Sequence, residues 1–508
     1  MSLSFLIYIF LKSIIDKIGL LLKSPSSKII TDLNEFFESS FTYGTIVFLY
    51  LFMKKIKIID SLKTIPLKSR ILLTAIILNR IIEPRSKLGS VSWVKKTAFP
   101  ILFGIEKNKL VVNQIYKAMD KLNERMDEVQ ENFFHNNKKE TIFLLYDITS
   151  VFFEGKGPKE LARYGYSRDK KGDNPQILLC LCLNEEKLPI YFDILEGNIQ
   201  DKRMVIPLIK ELEKRYSLKH SIFVGDRGMV SVENLRFLEE EGIGYIVALR
   251  HRQARELIFE KKIEPELFDD QLPITIYTEE KKKHVLCGSK LRKERDEMLL
   301  KHLLEKGKKA LEKVAKMVDE GRLKDPEKIM RRAQKKLTEV GCENFYDFTY
   351  KDGIFQIIEK TTFIQKAKML CGYYILETTK TEMPDKEIEE HYKELKFVEE
   401  SFRQLKDIQE IRPIFHWKEK RVKTHIFLCI IAQTVVNKMK DKLKEVGWIN
   451  EEKKNAFSHF IDIFHQISLG IFRIEGENIR IITKITEEQR KLMRIFGMEE
   501  KEFKNFTL

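Results

Sequence analysis

At 508 residues, 43% of them hydrophobic, the chain is long enough for several domains with cores of their own, which excludes a small peptide-like scaffold. Its 91 Lys and Arg against 76 Asp and Glu leave a net charge of +15 and favour a polyanionic partner, either nucleic acid or an anionic membrane surface. The six cysteines form no CxxC pair and no His-rich spacing, so neither a zinc site nor a disulfide framework is signalled and a reducing cytosol fits.

Two apolar runs near the start, Phe5 to Leu11 and Ile46 to Met53, end at Lys12 and at Lys54 and Lys55. A membrane span needs about 20 apolar residues, so both read as buried helices. Without a basic segment ahead of the first run, no secretory leader is expected, and the location expected is the cytoplasm. Residues 1–135 are expected to be helical throughout. Arg70 to Ile82 repeats apolar residues at helical density up to Pro84, and Val111 to Phe133 carries a second amphipathic pattern. Lys87, Lys95, Lys96 and Lys109 are candidate phosphate contacts, although scattered lysines are also ordinary solvated surface. The polar run HNNKK, 135–139, is a domain boundary.

From here the period changes to that of strands. Thr141 to Tyr146, Gln176 to Leu183 and Leu188 to Leu195 predict a three-stranded meander. A helix over Arg203 to Tyr216, a short strand over Ser221 to Val224, a helix through Glu241 and a strand over Tyr245 to Leu249 follow. This order predicts an α/β fold, a mixed sheet covered by helices, over residues 140–250. Asp147 is expected to end the first strand and Asp226 the fourth. Were those strands parallel and adjacent, both carboxylates would emerge at one edge, where two like charges are costly unless a cation lies between them. Oxygen ligands of this kind suit Mg²⁺, and two such ions roughly 3.5–4 Å apart can clamp the attacking and leaving oxygens of an in-line phosphoryl transfer. Asp is equally a common helix cap, and Asp226 precedes a helix.

Residues 251–385 exceed what one strand and one helix need and predict an α+β insertion domain, with strands at Ile274 to Tyr277, Phe355 to Glu359 and Gly372 to Leu376. Within it, residues 281–336 hold 20 Lys and Arg against 9 Asp and Glu, an excess that amounts to most of the net charge of the whole chain. Leu299, Leu303, Leu304, Leu311, Val314 and Val318 supply a packing face, leaving lysines for phosphates or for solvent.

The stretch His391 to Lys406, HYKELKFVEESFRQLK, is expected to be a single helix opening a further part of the core, 386–445. Tyr392, Glu399 and Lys406 lie seven apart and would share one face, beside an apolar stripe of Leu395, Val398, Phe402 and Leu405. Glu399 could supply a third carboxylate. Glu399 with Arg403 is also an ordinary i,i+4 surface pair. After it, IRPIFHW at 411–417 breaks the chain, and Arg412, His416 and His425 are candidate DNA-backbone contacts, with packed histidines the plainer reading. Arg421 to Val436 is one more apolar helix, and the tail 446–508 is expected to be helical and available to a second subunit.

The segments YDITSVFFEG (146–155), LEGNIQDKRM (195–204), VGDRGMVSVENL (224–235) and VEESFRQLK (398–406), with NRIIEPRSKLGSVSWV (79–94) upstream, resemble those of DDE transposases from bacterial insertion sequences, in the IS-four group with its Tyr-Arg-Glu-Lys signature. The resemblance covers about residues 40 to 440. It implies a ribonuclease H-like, five-stranded mixed sheet with helices on both faces. It also implies a metal-binding catalytic triad at Asp147, Asp226 and Glu399, holding two Mg²⁺ ions for which Mn²⁺ can substitute. Tyr392 and Lys406 match the signature residues that contact the DNA end, whereas the signature Arg position holds Leu395, so Arg227, Arg403 and Arg412 are the cationic candidates beside them. The partners implied are DNA, as terminal inverted repeats and as target, bound by a homodimer through the helical N-terminal region. The alternatives are a ribonuclease H-like nuclease without strand transfer and an inactive DNA-binding remnant.

Overall fold

The computed structural model describes residues 37–135, 143–199, 203–215, 220–229, 231–279, 281–449, 456–474 and 477–506. The first apolar run and most of the HNNKK boundary lie outside the described residues. Two units are distinct: one draws on Met1–Thr141, Asp147–Ile199 and Phe397–Leu508, the other on Ile142–Tyr146 and Gln200–Lys396. The strands in chain order are β1 (Phe37–Thr42), β2 (Phe143–Phe152), β3 (Gln176–Leu183), β4 (Pro189–Glu196), β5 (Ile222–Gly225), β6 (Gly244–Ala248), β7 (Ile274–Glu279), β8 (Lys282–Gly288), β9 (Tyr346–Lys351), β10 (Ile354–Glu359), β11 (Tyr373–Thr378), β12 (Ser468–Ile474) and β13 (Glu477–Ile482).

In the first unit the helix Glu419–Glu445 is the centre of the core. It is buried on nearly all sides from Val422 to Val436, which is why its sequence is apolar all round rather than striped. The helices Leu67–Ile82 and Val112–Glu124 pack on it, and Thr424 Oγ1 donates to the Met119 carbonyl at 3.2 Å. The helix Leu395–Asp407 meets it through a hydrogen bond and buries its own Val398, Phe402 and Leu405, each contributing roughly 1.5–3 kcal/mol. Gln433 Nε2 donates to the Ser401 carbonyl at 2.7 Å and fixes that contact.

The chain ends depart from expectation. The N-terminal region is not helical throughout and the tail is not a helical extension: β1 pairs antiparallel with β12, and β12 with β13. Gly44, at the start of the helix Gly44–Lys55, donates its N–H to the Ile467 carbonyl at 2.8 Å, and a Cβ there would stand 2.2 Å from the Phe464 carbonyl oxygen. Behind this contact Phe48, Phe52, Phe460, Phe464 and Phe496 form an edge-on aromatic cluster. Both edges of β12 are therefore taken by strands of the same chain.

The mixed sheet is larger than the five strands expected, with eight strands in the hydrogen-bonded order β4-β3-β2-β5-β6-β11-β8-β7. β3 is buried at every residue, which its continuous apolar run QILLCLCL demands. In the second unit the opening residues of β2 run parallel to β5, and β5 runs parallel to β6. Residues 251–385 do not form one separate insertion: β11 pairs with β6 and β8, and β8 with β7, so these strands extend the sheet. What stands apart is the helix pair Lys290–Asp319 and Pro326–Val340 with the hairpin β9–β10, around a core of Leu311, Val314, Ile329, Leu337 and Phe355. Gly307 lets the first helix approach closely, since a Cβ there would meet Cys342 Sγ and Tyr346 at 2.8 Å. All six cysteines are buried thiols, and no described helix is long and apolar enough to cross a membrane.

Candidate active site

The two units supply the candidate residues separately. In the first, Asp147 does not end its strand as expected. β2 continues through Ile148, Thr149, Val151 and Phe152, whose β-branched and aromatic side chains favour strand, and Asp147 lies within it, half-buried, with Oδ1 accepting the Ile148 N–H at 2.7 Å. What does end near Asp147 is the parallel pairing with β5: its last register pair is Tyr146 beside Gly225, and Asp147 and Asp226 are the next residue of each strand.

Thr149 lies two residues after Asp147 and so on the same side of β2. Its Oγ1 accepts a hydrogen bond from Lys406 Nζ at 2.8 Å. The same ammonium donates to Asp169 Oδ1 at 2.8 Å, and Arg412 Nη1 completes a second ion pair with that oxygen. Asp169 and Lys406 are nearly enclosed, their side chains 5% and 10% exposed. Burial pushes the Lys406 ammonium down from its usual range while Asp169 opposes that shift. Arg412 also reaches Asp407, at 3.2 Å. Lys406 is thus an ion-pair partner of a buried carboxylate within the protein.

Glu399 is exposed one heptad before Lys406 on the helix Leu395–Asp407, so it shares the face that Lys406 turns to β2. The surface-pair reading of Glu399 does not describe this helix: Arg403, also exposed, lies 4.0 Å from Glu400 instead. Tyr392 is not on that helix. The expected single helix is two, Asp385–Lys393 and Leu395–Asp407, interrupted at Glu394, whose N–H is shared by the Glu390 and His391 carbonyls.

In the second unit Asp226 is exposed in a turn after β5, with Oδ1 accepting the Arg227 N–H at 2.7 Å. It does not cap the helix Val232–Glu240; Ser231 does, accepting the Asn234 N–H at 3.2 Å. Arg227 is half-buried and its carbonyl accepts from Arg250 Nε at 3.4 Å. Tyr392 is half-buried with its ring tilted against Tyr374, centroids 5.8 Å apart. Among the described residues no group of three or more His, Cys, Asp and Glu side chains stands ready to hold a metal ion.

Residues 143–435, more than half of the chain, match the family described as Transposase DDE domain, a span that contains Asp147, Asp226 and Glu399. The chain belongs to the DDE transposase family. This membership makes it a DNA transposase in the broad sense. No curated protein matches this transposase. Among solved structures it is similar to a piggyBac transposase in a synaptic complex with hairpin DNA, determined by cryo-EM, with 10% identity, a TM-score of 0.38, and coverage of 91% of this chain and 78% of that one.

Thr149 and Asp169 were not singled out from the sequence. Asp169 sits in SRDKKGD, a run that reads as a solvated turn, and only its partner 237 positions away reveals its role.

Proposed function

We propose that the protein cleaves phosphodiesters at the ends of a mobile DNA element and joins the freed 3′-hydroxyl to target DNA by in-line phosphoryl transfer. Asp147, Asp226 and Glu399 are the catalytic carboxylates. The observation that carries this reading is the transposase match across a span holding all three, with Asp147 and Asp226 each following the last paired residue of adjacent parallel strands. A ribonuclease H-like core is consistent with the order of β4, β3, β2, β5 and β6, antiparallel between β3 and β4 and parallel from β2 through β6.

Three carboxylates are a hard oxygen donor set suited to Mg²⁺ or Mn²⁺. When bound, two such ions would lower the pKa of the attacking water and balance charge on the transferred phosphoryl group. The chain's own contribution is placement. Strand β2 holds Asp147 rigidly, and burial of Val398, Phe402 and Leu405 holds the exposed Glu399 on a fixed helix face. Lys406 and Arg412, both paired with Asp169 in this state, would become DNA contacts by exchanging that carboxylate for a phosphate. Tyr392, Arg227 and Arg403 complete the proposed DNA contacts. The IS-four grouping, a homodimer in the DNA complex and action at the nucleoid belong to the same proposal.

The test is incubation of the purified protein with labelled DNA from both flanks of its gene, with and without Mg²⁺. Metal-dependent 3′-hydroxyl ends, joined to a target plasmid and lost in Glu399→Gln and Asp147→Ala while DNA binding persists, are expected. Nicking without joining would leave a nuclease, and binding without nicking an inactive remnant.

A further inference from the structure

The first unit contains a second cationic cluster, which shares Arg412 with the Asp169 pair. A cavity of about 180 Å³ lies between the start of the helix Lys87–Lys95 and the IRPIFHW segment. Arg80, Arg85, Lys87, Arg412, His416 and His425 line it, and Glu410 is the one carboxylate in its wall.

Its two most buried cations meet no counter-charge among the described residues. Lys87 is 5% exposed and Arg80 4%. Arg80 donates through Nη1 to the Gln409 carbonyl at 3.1 Å and through Nη2 to the Arg85 carbonyl at 2.8 Å, and its buried Nε has no partner. Lys87 Nζ lies 3.1 Å from His425 Nδ1. Because His425 Nε2 donates to the Ile411 carbonyl at 3.2 Å, Nδ1 is the acceptor and the imidazole is neutral. Among the described residues neither Arg80 nor Lys87 is joined to a carboxylate. Burial first and Arg80 second push the Lys87 ammonium well below its usual range, and burial with the same cations lowers His425 and brings His416 down to about 3. Buried cations without counter-charges are costly unless an anion completes the site.

We propose that this pocket binds a phosphate group of the DNA backbone, with Lys87 and the Arg80 Nε as its deepest donors and Arg85 and Arg412 at its mouth. The rim selects a nucleic acid over a free ion: Leu88 and Phe415 line the opening and are 66% and 60% exposed, apolar surface that a sugar or base edge would cover. Arg412 belongs both to this wall and to the Asp169 pair, so a phosphate seated here draws on a cation of the Lys406 network. The inference rests on the reading of the protein as DNA-binding, but not on cleavage.

The test uses the full-length protein in EDTA, so cleavage plays no part. Inorganic phosphate, compared with chloride at equal ionic strength, is expected to raise Tm by a few degrees, and Lys87→Met to abolish that rise. Lys87→Met and the more exposed Arg85→Gln are each expected to weaken binding of a flanking DNA duplex by about tenfold and to flatten its salt dependence by about one ion. If Lys87→Met fails to fold, the wild-type phosphate response and Arg85→Gln decide the matter. No phosphate response in the wild type, or a full response in Lys87→Met, would overturn the site. A phosphate response with DNA affinity and salt slope unchanged in both variants would overturn DNA as the source of the phosphate. Failure of wild-type cleavage with Mg²⁺, beside an intact phosphate response, would instead remove the proposed reaction and leave the pocket standing.

Discussion

Two cationic clusters in one unit, sharing Arg412, are built on opposite principles. Around Asp169, Lys406 and Arg412 share one buried carboxylate, Arg412 also pairs with Asp407, and Thr149 accepts a further ammonium hydrogen bond, so two cations meet two carboxylates within the protein. Around His425, Lys87 and Arg80 are as deeply buried but, among the described residues, are met only by carbonyls and a neutral imidazole. The first cluster is a tie closed by carboxylates of the protein itself; the second is short of an anion. Counting lysines and arginines cannot separate the two, because the difference lies in whether a carboxylate is enclosed with them.

Removing the central charge should expose that difference most strongly. Asp169→Asn leaves Lys406 and Arg412 facing each other and should lower stability by about 3 kcal/mol in urea denaturation; a loss below about 1 kcal/mol would mean the pair is effectively solvated. Lys87→Met, measured without phosphate, should be neutral or stabilising, since it replaces an uncompensated buried charge by an apolar chain of similar shape. A large destabilisation there would make Lys87 a structural cation like Lys406 and erase the contrast.

Acid titration sharpens the comparison further. His416, held down to about 3 by burial and by Lys87, Arg421 and Arg80, stays neutral in the folded chain while the unfolded chain protonates it near its ordinary value of about 6.5. Between those values the unfolded state binds more protons, so stability falls as pH falls through this window, by up to about 1.4 kcal/mol per pH unit for one such group. His416→Gln should flatten the fall seen between pH 6 and pH 4, and an unchanged slope would mean the histidine protonates freely in the fold. The smallest effect is expected at Arg403, exposed and 4.0 Å from Glu400. Arg403→Ala should change stability by less than about 0.5 kcal/mol, and a DNA role would appear only as a shallower salt dependence of binding.

Much of this protein is legible in local pattern. The apolar stripe of Leu395, Val398, Phe402 and Leu405 identified a helix and a buried face, of which Leu395 is only half-buried, and QILLCLCL identified a strand, because periods of 3.6 and 2 are imposed by backbone geometry before any tertiary contact forms. The motifs around Asp147, Asp226 and Glu399 pointed to the DDE transposase family, and the family match spans them. Local pattern did not reveal that β2 runs on past Asp147, that the helix divides at Glu394, or that β7, β8 and β11 extend the sheet, since these depend on which edges and carbonyls are available once the chain has packed. Nor could it pair β1 with β12, or bring Lys406 to Asp169 and Lys87 to His425 across 237 and 338 positions. An isolated lysine reads as solvated surface in any sequence window. Only the enclosure of its ammonium by distant segments decides whether it is balanced by a carboxylate or left awaiting an anion.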